Sequence, residues 1–127
     1  MEHERLDSHR RELTRAISGL QKECYGKGPD FARTYINDDT VMVLMRGGYT
    51  KAEETLFDAG MGESVISQRM AFQEAIRPKF EEEIERILGR RVIAFMSANH
   101  QEPDLLAEIF VLDTLADEMR SGNSDPS

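Results

Sequence analysis

A glycine-containing turn at residues 46–51, with the sequence RGGYTK, comes closest to a ligand site in this chain. It lies between a predicted strand and the predicted start of a helix, where free backbone amides and the helix dipole can hold an anion. The G-x-x-x-x-G-K-[ST] spacing of a phosphate loop is absent. Two hypotheses therefore remain open, a plain turn with a helix cap and an anion site. The anion site would comprise Arg46, Gly47, Gly48, Thr50 and Lys51.

Other reactive side chains do not form a recognisable site. The sequence has three histidines and one cysteine, without the C-x-x-C or H-x-x-x-H spacing of zinc ligands. The G-x-S-x-G motif of a serine nucleophile is also absent. Asp38 and Asp39 are adjacent, but they fall in a predicted turn, where such side chains bond to nearby backbone amides. We therefore expect no catalytic residues, no metal and no cofactor, and hence a protein that is not an enzyme.

The composition of the chain indicates which kinds of partner it can bind and in which cellular compartment it is expected. The 127 residues carry a net charge of −8, which opposes nonspecific binding to nucleic acid because phosphates are repelled. Cys24 is the single cysteine, so no internal disulfide forms, as suits a reducing cytosol. No apolar run approaches the roughly 20 residues needed to cross a bilayer, and the first residues lack a secretory signal. We expect a soluble, cytoplasmic protein that does not insert into a membrane.

The pattern of apolar residues, glycines and prolines predicts helices and strands in the order α-β-β-α-α-β-β. The predicted helices are Leu6–Cys24, Lys51–Phe57 and Glu63–Leu88, and the predicted strands are Phe31–Ile36, Val41–Met45, Arg91–Ser97 and Leu106–Leu112. Pro78 should kink the long helix or divide it in two. This order indicates an α+β fold in which helices pack on an antiparallel four-stranded sheet. We assign residues 1–113 to one domain and 114–127 to a polar, disordered tail.

Apolar stripes indicate which side of each helix is buried. In the first helix Leu13, Ile17 and Cys24 share the apolar side, whereas Gln21 falls on the wetter side. In the long helix the predicted buried side includes Phe72. The glutamates at 81–83 and 85 are explained by a solvated helix face.

The strands are apolar on both faces, which predicts a homodimer. A strand with one face in water alternates apolar and polar residues, but here the apolar residues are nearly continuous. If both long helices cover one face, the other face needs a second copy of the chain. An arrangement with helices on both faces would need no partner. The predicted interface residues are Met42, Leu44, Ile93, Phe95 and Phe110.

Four segments of the chain resemble the MpsC-like family. They read ECYGKGP, RTYINDDTVMVLMRGGYTKAEETL, FQEAIRPKFEEEIERILGRRVIAFMS and EIFVLD, and the similarity covers Leu13–Asp113. These small bacterial domains are named after a component of a sodium-translocating, membrane-potential-generating system connected with cation and bicarbonate transport. The resemblance supplies no catalytic or ligand-binding residues. It departs at Tyr49-Thr50-Lys51, where the family pattern has leucine-threonine-proline.

The resemblance implies an accessory role, since a chain without a membrane-spanning segment cannot itself carry an ion across a bilayer. The first hypothesis is a cytoplasmic accessory or regulatory interaction module that docks on a membrane transport protein. The second is a sensor of a small ligand or anion at the 46–51 turn. The third is an unrecognised enzyme.

Overall fold

The computed structural model describes residues 2–113, so the predicted tail at residues 114–127 lies outside the described part of the chain. Three helices and four strands alternate in the order predicted from the sequence, and the α+β class is confirmed. The elements are α1 (Glu2–Tyr25), β1 (Phe31–Asn37), β2 (Thr40–Arg46), α2 (Lys51–Asp58), α3 (Gly62–Leu88), β3 (Val92–His100) and β4 (Leu105–Leu112).

The four strands form one antiparallel sheet in the order β1-β2-β4-β3. Two hairpins, β1-β2 and β3-β4, lie side by side, so β2 and β4 are central while β1 and β3 are the edges. The register aligns Thr34, Val43, Glu108 and Ser97 in one row across the sheet. Residues in this row point to the same face because side chains alternate along each strand.

The long helices α1 and α3 pack together on one face of the sheet, while α2 packs on α3. Leu13 and Ile17 of α1 meet Phe80 and Ile84 of α3 above the central strands. The strand residues of this core are Val41, Val43, Met45, Leu106, Phe110 and Leu112. Both helices therefore cover the same face, which is the arrangement that leaves the opposite face open.

Several local expectations differ from the structure. The helix α3 continues through Pro78 as one element rather than dividing there. One missing amide removes a single backbone bond, and the packing of Phe80 and Ile84 holds the following turns in place. The connection between the predicted strands Arg91–Ser97 and Leu106–Leu112 is shorter than expected, because residues 98–100 pair with β4 and extend β3. Gln21, expected on the wetter side of α1, is buried, and Phe72, expected to be buried, is exposed.

A register irregularity in β3 changes which of its side chains face the helices. Val92 pairs with Leu112, but Ala94 pairs with Val111, so the strand contains an extra residue between these two pairs. Strict alternation would place Val92 and Phe95 on opposite faces. With the extra residue, both pack against the helix-covered core.

Candidate functional site

Polar side chains from four elements are buried together within the helix–sheet interface. In α1 the buried residues change from Leu13 and Ile17 to Gln21, and in β4 from Leu112 and Phe110 to Glu108. The buried and partly buried polar residues of this region form what we call the polar cluster: Gln21, Tyr25, Arg69, Gln73, Ser97, Asn99 and Glu108. Their side chains come from α1, α3, β3 and β4.

Arg69 is the most extensively bonded residue of the polar cluster. Its guanidinium donates from Nε to Glu53 Oε2 at 2.8 Å and from Nη2 to Glu53 Oε1 at 2.6 Å. It also donates from Nη2 to the carbonyl oxygen of Gly48 at 2.8 Å. Only 2% of the Arg69 side chain is exposed. A two-bond pair of this kind fixes both distance and orientation, so Arg69 joins α3 to α2 and to the preceding turn.

Two tyrosines enclose the guanidinium of Arg69. Its Cζ lies 4.1 Å from the ring centroid of Tyr25 and 4.9 Å from that of Tyr49. Tyr49 in turn packs edge-on against Phe57, with the ring centroids 4.7 Å apart. Cation–π contacts strengthen when water is excluded, as it is here. Burial raises the pKa of Tyr25 to about 12, so its hydroxyl stays protonated at physiological pH.

Electrostatics at the Glu53–Arg69 pair favour the ionised forms. Burial alone would raise the pKa of Glu53, but hydrogen bonds from Arg69 and from the backbone of Thr50 hold it below its usual value. Burial likewise opposes the charge on Arg69, and the bonds with Glu53 outweigh it and raise the pKa of Arg69. The pair is therefore a fixed, charged connection.

Glu108 is a carboxylic acid inside the core. Only 1% of the residue is exposed, and its neighbours along the same face of β4 are Leu106 and Phe110. Burial raises the pKa of Glu108 to about 8, with a smaller opposing effect from Arg69. The side chain is thus largely neutral near pH 7 and titrates slightly above it.

The polar cluster holds buried groups that no described protein atom satisfies. These are both amide atoms of Gln21 and of Asn99, the hydroxyl of Tyr25, Nε2 of Gln73 and Oε1 of Glu108. The other amide atom of Gln73, Oε1, accepts a 2.6 Å bond from the Ser97 hydroxyl. Buried polar groups in folded proteins normally bond to protein or to ordered water. The cluster therefore offers donors and acceptors to water or to a small polar molecule.

A cavity of about 330 Å³ borders the polar cluster. Arg69 and Tyr25 line its inner side, and Glu53 and Thr50 line the side nearest α2. Phe72, with Leu56, adds an apolar wall. The cavity combines a fixed charge pair with aromatic and aliphatic surface, the composition typical of small-molecule sites.

The predicted anion site at residues 46–51 folds as a tight turn followed by a helix cap. Thr50 caps α2: its hydroxyl accepts from the amide of Glu53 at 3.2 Å. The carboxylate of Glu53 accepts from the amide of Thr50 at 2.8 Å. An internal carboxylate thus occupies the position that an external anion would take. Anion binding at this turn stays a prediction.

The remaining residues of the turn are spread apart. Gly47 has a positive φ of 74°, and its carbonyl oxygen accepts a 2.5 Å bond from Lys27 Nζ. Arg46 and Lys51 are exposed at the end of β2 and the start of α2. The carbonyl oxygens of Gly47 and Gly48 accept hydrogen bonds from Lys27 and Arg69, so the turn binds two cationic side chains of the chain itself.

The sequence contains signals for the polar cluster that a search for apolar residues alone does not detect. Glu108 is the one charged residue of β4, at a position that alternation assigns to the core with Leu106 and Phe110. Arg69 and Gln73 follow Val65 at intervals of four, on the buried stripe of α3. A polar residue at a position that periodicity assigns to the core is the feature that identifies such a site.

The sheet face opposite the helices is apolar and open. On the central strands it presents Met42, Leu44, Ala107, Ile109 and Val111, and on β3 it presents Met96, of which 53% is exposed. The register places no aspartate or glutamate at any open-face position of the four described strands. The whole chain has 24 acidic residues, so this face differs sharply from the rest of the molecule.

The five predicted interface residues fall on different sides of the sheet. Met42 and Leu44 lie on the open face, and Ile93 is partly exposed at the β3 irregularity. Phe110 is 0% exposed and lies in the helix-covered core, where Phe95 packs against it with the ring centroids 5.1 Å apart. Phe95 and Phe110 are corrected to core residues, because the extra residue in β3 moves Phe95 to that face.

The family model and the relative found by comparison with known proteins both match most of this chain. The model of the family described as "Na+-translocating membrane potential-generating system (MpsC)" matches residues 7–114. The uncharacterized protein YrhF of Bacillus subtilis (strain 168) is 22% identical over 111 residues, which cover 86% of this chain and 91% of that protein. No solved structure matches. None of the helices in residues 2–113 is both long and apolar enough to cross a membrane.

Proposed function

The chain belongs to the MpsC family, and on this premise we propose that it is a non-enzymatic, cytoplasmic accessory module that acts by binding other proteins. The family description names a system that translocates sodium and generates a membrane potential. The proposed role is to dock on a membrane transport protein of such a system, including one that carries bicarbonate, and to regulate it. The docking form is a homodimer.

The open apolar sheet face carries this proposal. Four strands about 4.8 Å apart and about 23 Å long present a face of roughly 400 Å² in projection. A patch of this size falls in the range of the largest apolar patch on a typical monomer, and such patches are often functional. Burial contributes about 25 cal/mol per Å² of apolar surface, against which association entropy must be set. No aspartate or glutamate lies on the described face, so carboxylates of the two copies would not oppose each other across the interface.

Light scattering on a sizing column at low micromolar concentration tests the homodimer. The expected mass is twice 14.5 kDa for the unmodified chain and 14.5 kDa for Ile109→Glu, which places a charge in the middle of the open face. Met70→Glu serves as the matched control, because Met70 is 59% exposed on α3, on the helix-covered side of the sheet and not on the open face. A mass of one chain for the unmodified protein contradicts the homodimer.

The accessory role is tested separately with membranes. Affinity purification from detergent-solubilised membranes of the source cells should retain an integral membrane transport protein, identified by mass spectrometry. Met70→Glu should retain it equally. Recovery of no transport protein from those membranes, while the chain is folded, contradicts the accessory role.

A second function, the binding of a small polar ligand, is favoured by the unsatisfied buried groups of the polar cluster. Phosphate, nucleotides and bicarbonate are the first compounds to screen, and a bound ligand raises the melting temperature by mass action. Arg46→Ala removes the shift if the 46–51 turn binds, whereas Gln73→Leu removes it if the polar cluster binds. No shift with any compound at millimolar concentration contradicts this second function.

A further inference from the structure

An open groove of about 1040 Å³ lies between α1 and the outer edge of β1. β1 is an edge strand: it pairs with β2 on one side, and no described strand pairs with its other side. A 2.7 Å bond between the hydroxyls of Thr14 and Thr34 ties α1 to β1. The groove therefore has a fixed width and a row of backbone amides and carbonyls along one wall.

The groove is positively charged although the chain is acidic. Arg10, Arg11 and Arg15 line its α1 side, and Arg33 lines its β1 side. The single acidic residue in its lining is Asp7, which already forms an ion pair with Arg10. Among the side chains of residues 3–113, no carboxylate lies within ion-pair distance of the other three arginines. The concentration of unpaired cations here contrasts with the net charge of −8.

We propose that this groove binds an acidic, extended segment of a partner protein, which adds to the sheet as a fifth strand beside β1. The free edge of β1 supplies main-chain hydrogen bonds, the usual source of affinity in strand addition. The arginines on both sides of that edge supply specificity, because carboxylates on an added strand would lie beside Arg11 and Arg15 on one face and Arg33 on the other.

Charge repulsion opposes pairing of β1 with the β1 strand of a second copy of this chain. Pairing β1 with another β1 would bring two sets of four groove arginines together, and like charges repel. A lipid headgroup could meet the arginines but leaves the strand edge unpaired. The homodimer face is centred on β2 and β4, whereas the groove lies at the outer edge of β1, and of the four groove arginines only Arg33 lies on the open face.

Arg33 is held in position for this role. Its guanidinium lies 5.3 Å above the ring of Phe31, and its Nη1 is 3.4 Å from the hydroxyl of Tyr35. All three side chains project on the open face of the edge strand, and Arg33 and Tyr35 line the groove. An ordered cation loses less side-chain freedom on binding than an unrestrained one.

Fluorescence anisotropy with a labelled peptide of alternating glutamate and threonine tests the proposal. Alternation places glutamates on one face of the added strand, and threonine favours the extended conformation. The unmodified protein should bind the peptide, and binding should weaken as sodium chloride rises from about 50 mM to about 300 mM. Arg11→Glu/Arg15→Glu should weaken binding at least about tenfold.

Lys51→Glu/Arg91→Glu is the matched control, since it makes the same change in charge at exposed positions outside the groove. It should bind as the unmodified protein does. Equal weakening by both double variants would show attraction to overall charge and would overturn the proposal.

Amide hydrogen exchange tests strand addition itself. The peptide should slow exchange at the β1 amides that point away from β2, and a peptide N-methylated along its pairing edge should not. Unchanged exchange with bound peptide overturns strand addition. Binding to phosphatidylserine vesicles with no binding to the peptide also overturns the proposal, since it assigns the groove to lipid.

Discussion

The two ends of the interface between α1, α3 and the sheet differ in chemistry although the same elements build both. At one end Leu13, Ile17, Phe80 and Phe110 are fully buried among other apolar residues. At the other end, the polar cluster buries an acid, an ion pair and unsatisfied amides. Apolar burial stabilises the fold, whereas unsatisfied buried polar groups oppose it.

The apolar end stabilises the fold, whereas the polar residues at the other end are not the residues that stability alone would favour. A chain selected only for stability would continue the apolar stripe of α3 through positions 69 and 73, as it does at Val65 and Phe80. Arg69 also joins three parts of the chain, because it contacts α2 and the 46–51 turn. We therefore assign stability to the apolar end, and we expect the polar end to respond to pH and, under the proposed second function, to a ligand.

The largest effect is expected from truncating a side chain at the apolar end. Phe110→Ala removes a ring with 0% exposure and should lower the free energy of unfolding by about 4 kcal/mol, by lost burial and by the cavity left behind. Urea unfolding measures this change, and it should be the same at pH 5.5 and pH 8. A change below about 1 kcal/mol would show that the apolar end does not dominate stability.

Breaking the ion pair at the polar end should have the next largest effect. Arg69→Met keeps the volume but leaves the partly buried carboxylate of Glu53 without its partner, and should cost about 3 kcal/mol. Arg77→Met is the matched control on the same helix, because its pairs with Glu74 and Glu81 are more exposed and should contribute about 1 kcal/mol or less. Equal losses for both variants would contradict the special position of Arg69.

The pH dependence of stability should distinguish the polar end from the apolar end. Below about pH 4.5 Glu108 is protonated in both the folded and the unfolded protein. Between pH 4.5 and its folded pKa of about 8, the folded protein keeps this proton and the unfolded protein loses it. Stability from this group is therefore lost as pH rises, by about 2 kcal/mol between pH 5.5 and pH 7. The difference between the unmodified protein and Glu108→Gln isolates this effect. A difference that is constant with pH contradicts a raised pKa.

The smallest change in stability is expected at the turn that positions the Gly48 carbonyl oxygen for its hydrogen bond from Arg69. Gly47 has a φ of 74°, and an added Cβ would collide with the Asp30 side chain, so Gly47→Ala should destabilise by about 1–2 kcal/mol. Gly19→Ala in α1 is the control: no neighbour lies within 4 Å of the added Cβ, and alanine should stabilise the helix by up to about 1 kcal/mol. Thermal unfolding of both variants measures the contrast.

Local rules predicted most of the fold because their causes lie close together in the chain. Gly89 ends α3 in the left-handed conformation, and Thr50 with Glu53 starts α2 as a capping box. Strand ends were less predictable, since residues 98–100 join β3 only because β4 lies beside them. The polar cluster was not predicted, because its residues come from four elements that meet only after folding.

The sequence by itself determined the order of the elements, the α+β class and the membership of the MpsC family. Only the tertiary structure decided that both long helices lie on one face, and that an extra residue in β3 moves Phe95 into the core beside Phe110. It also decided that Glu108 loses its water while Arg69 keeps its charge through Glu53. Periodicity records which residues share a side of one element, whereas packing between elements sets what that side meets.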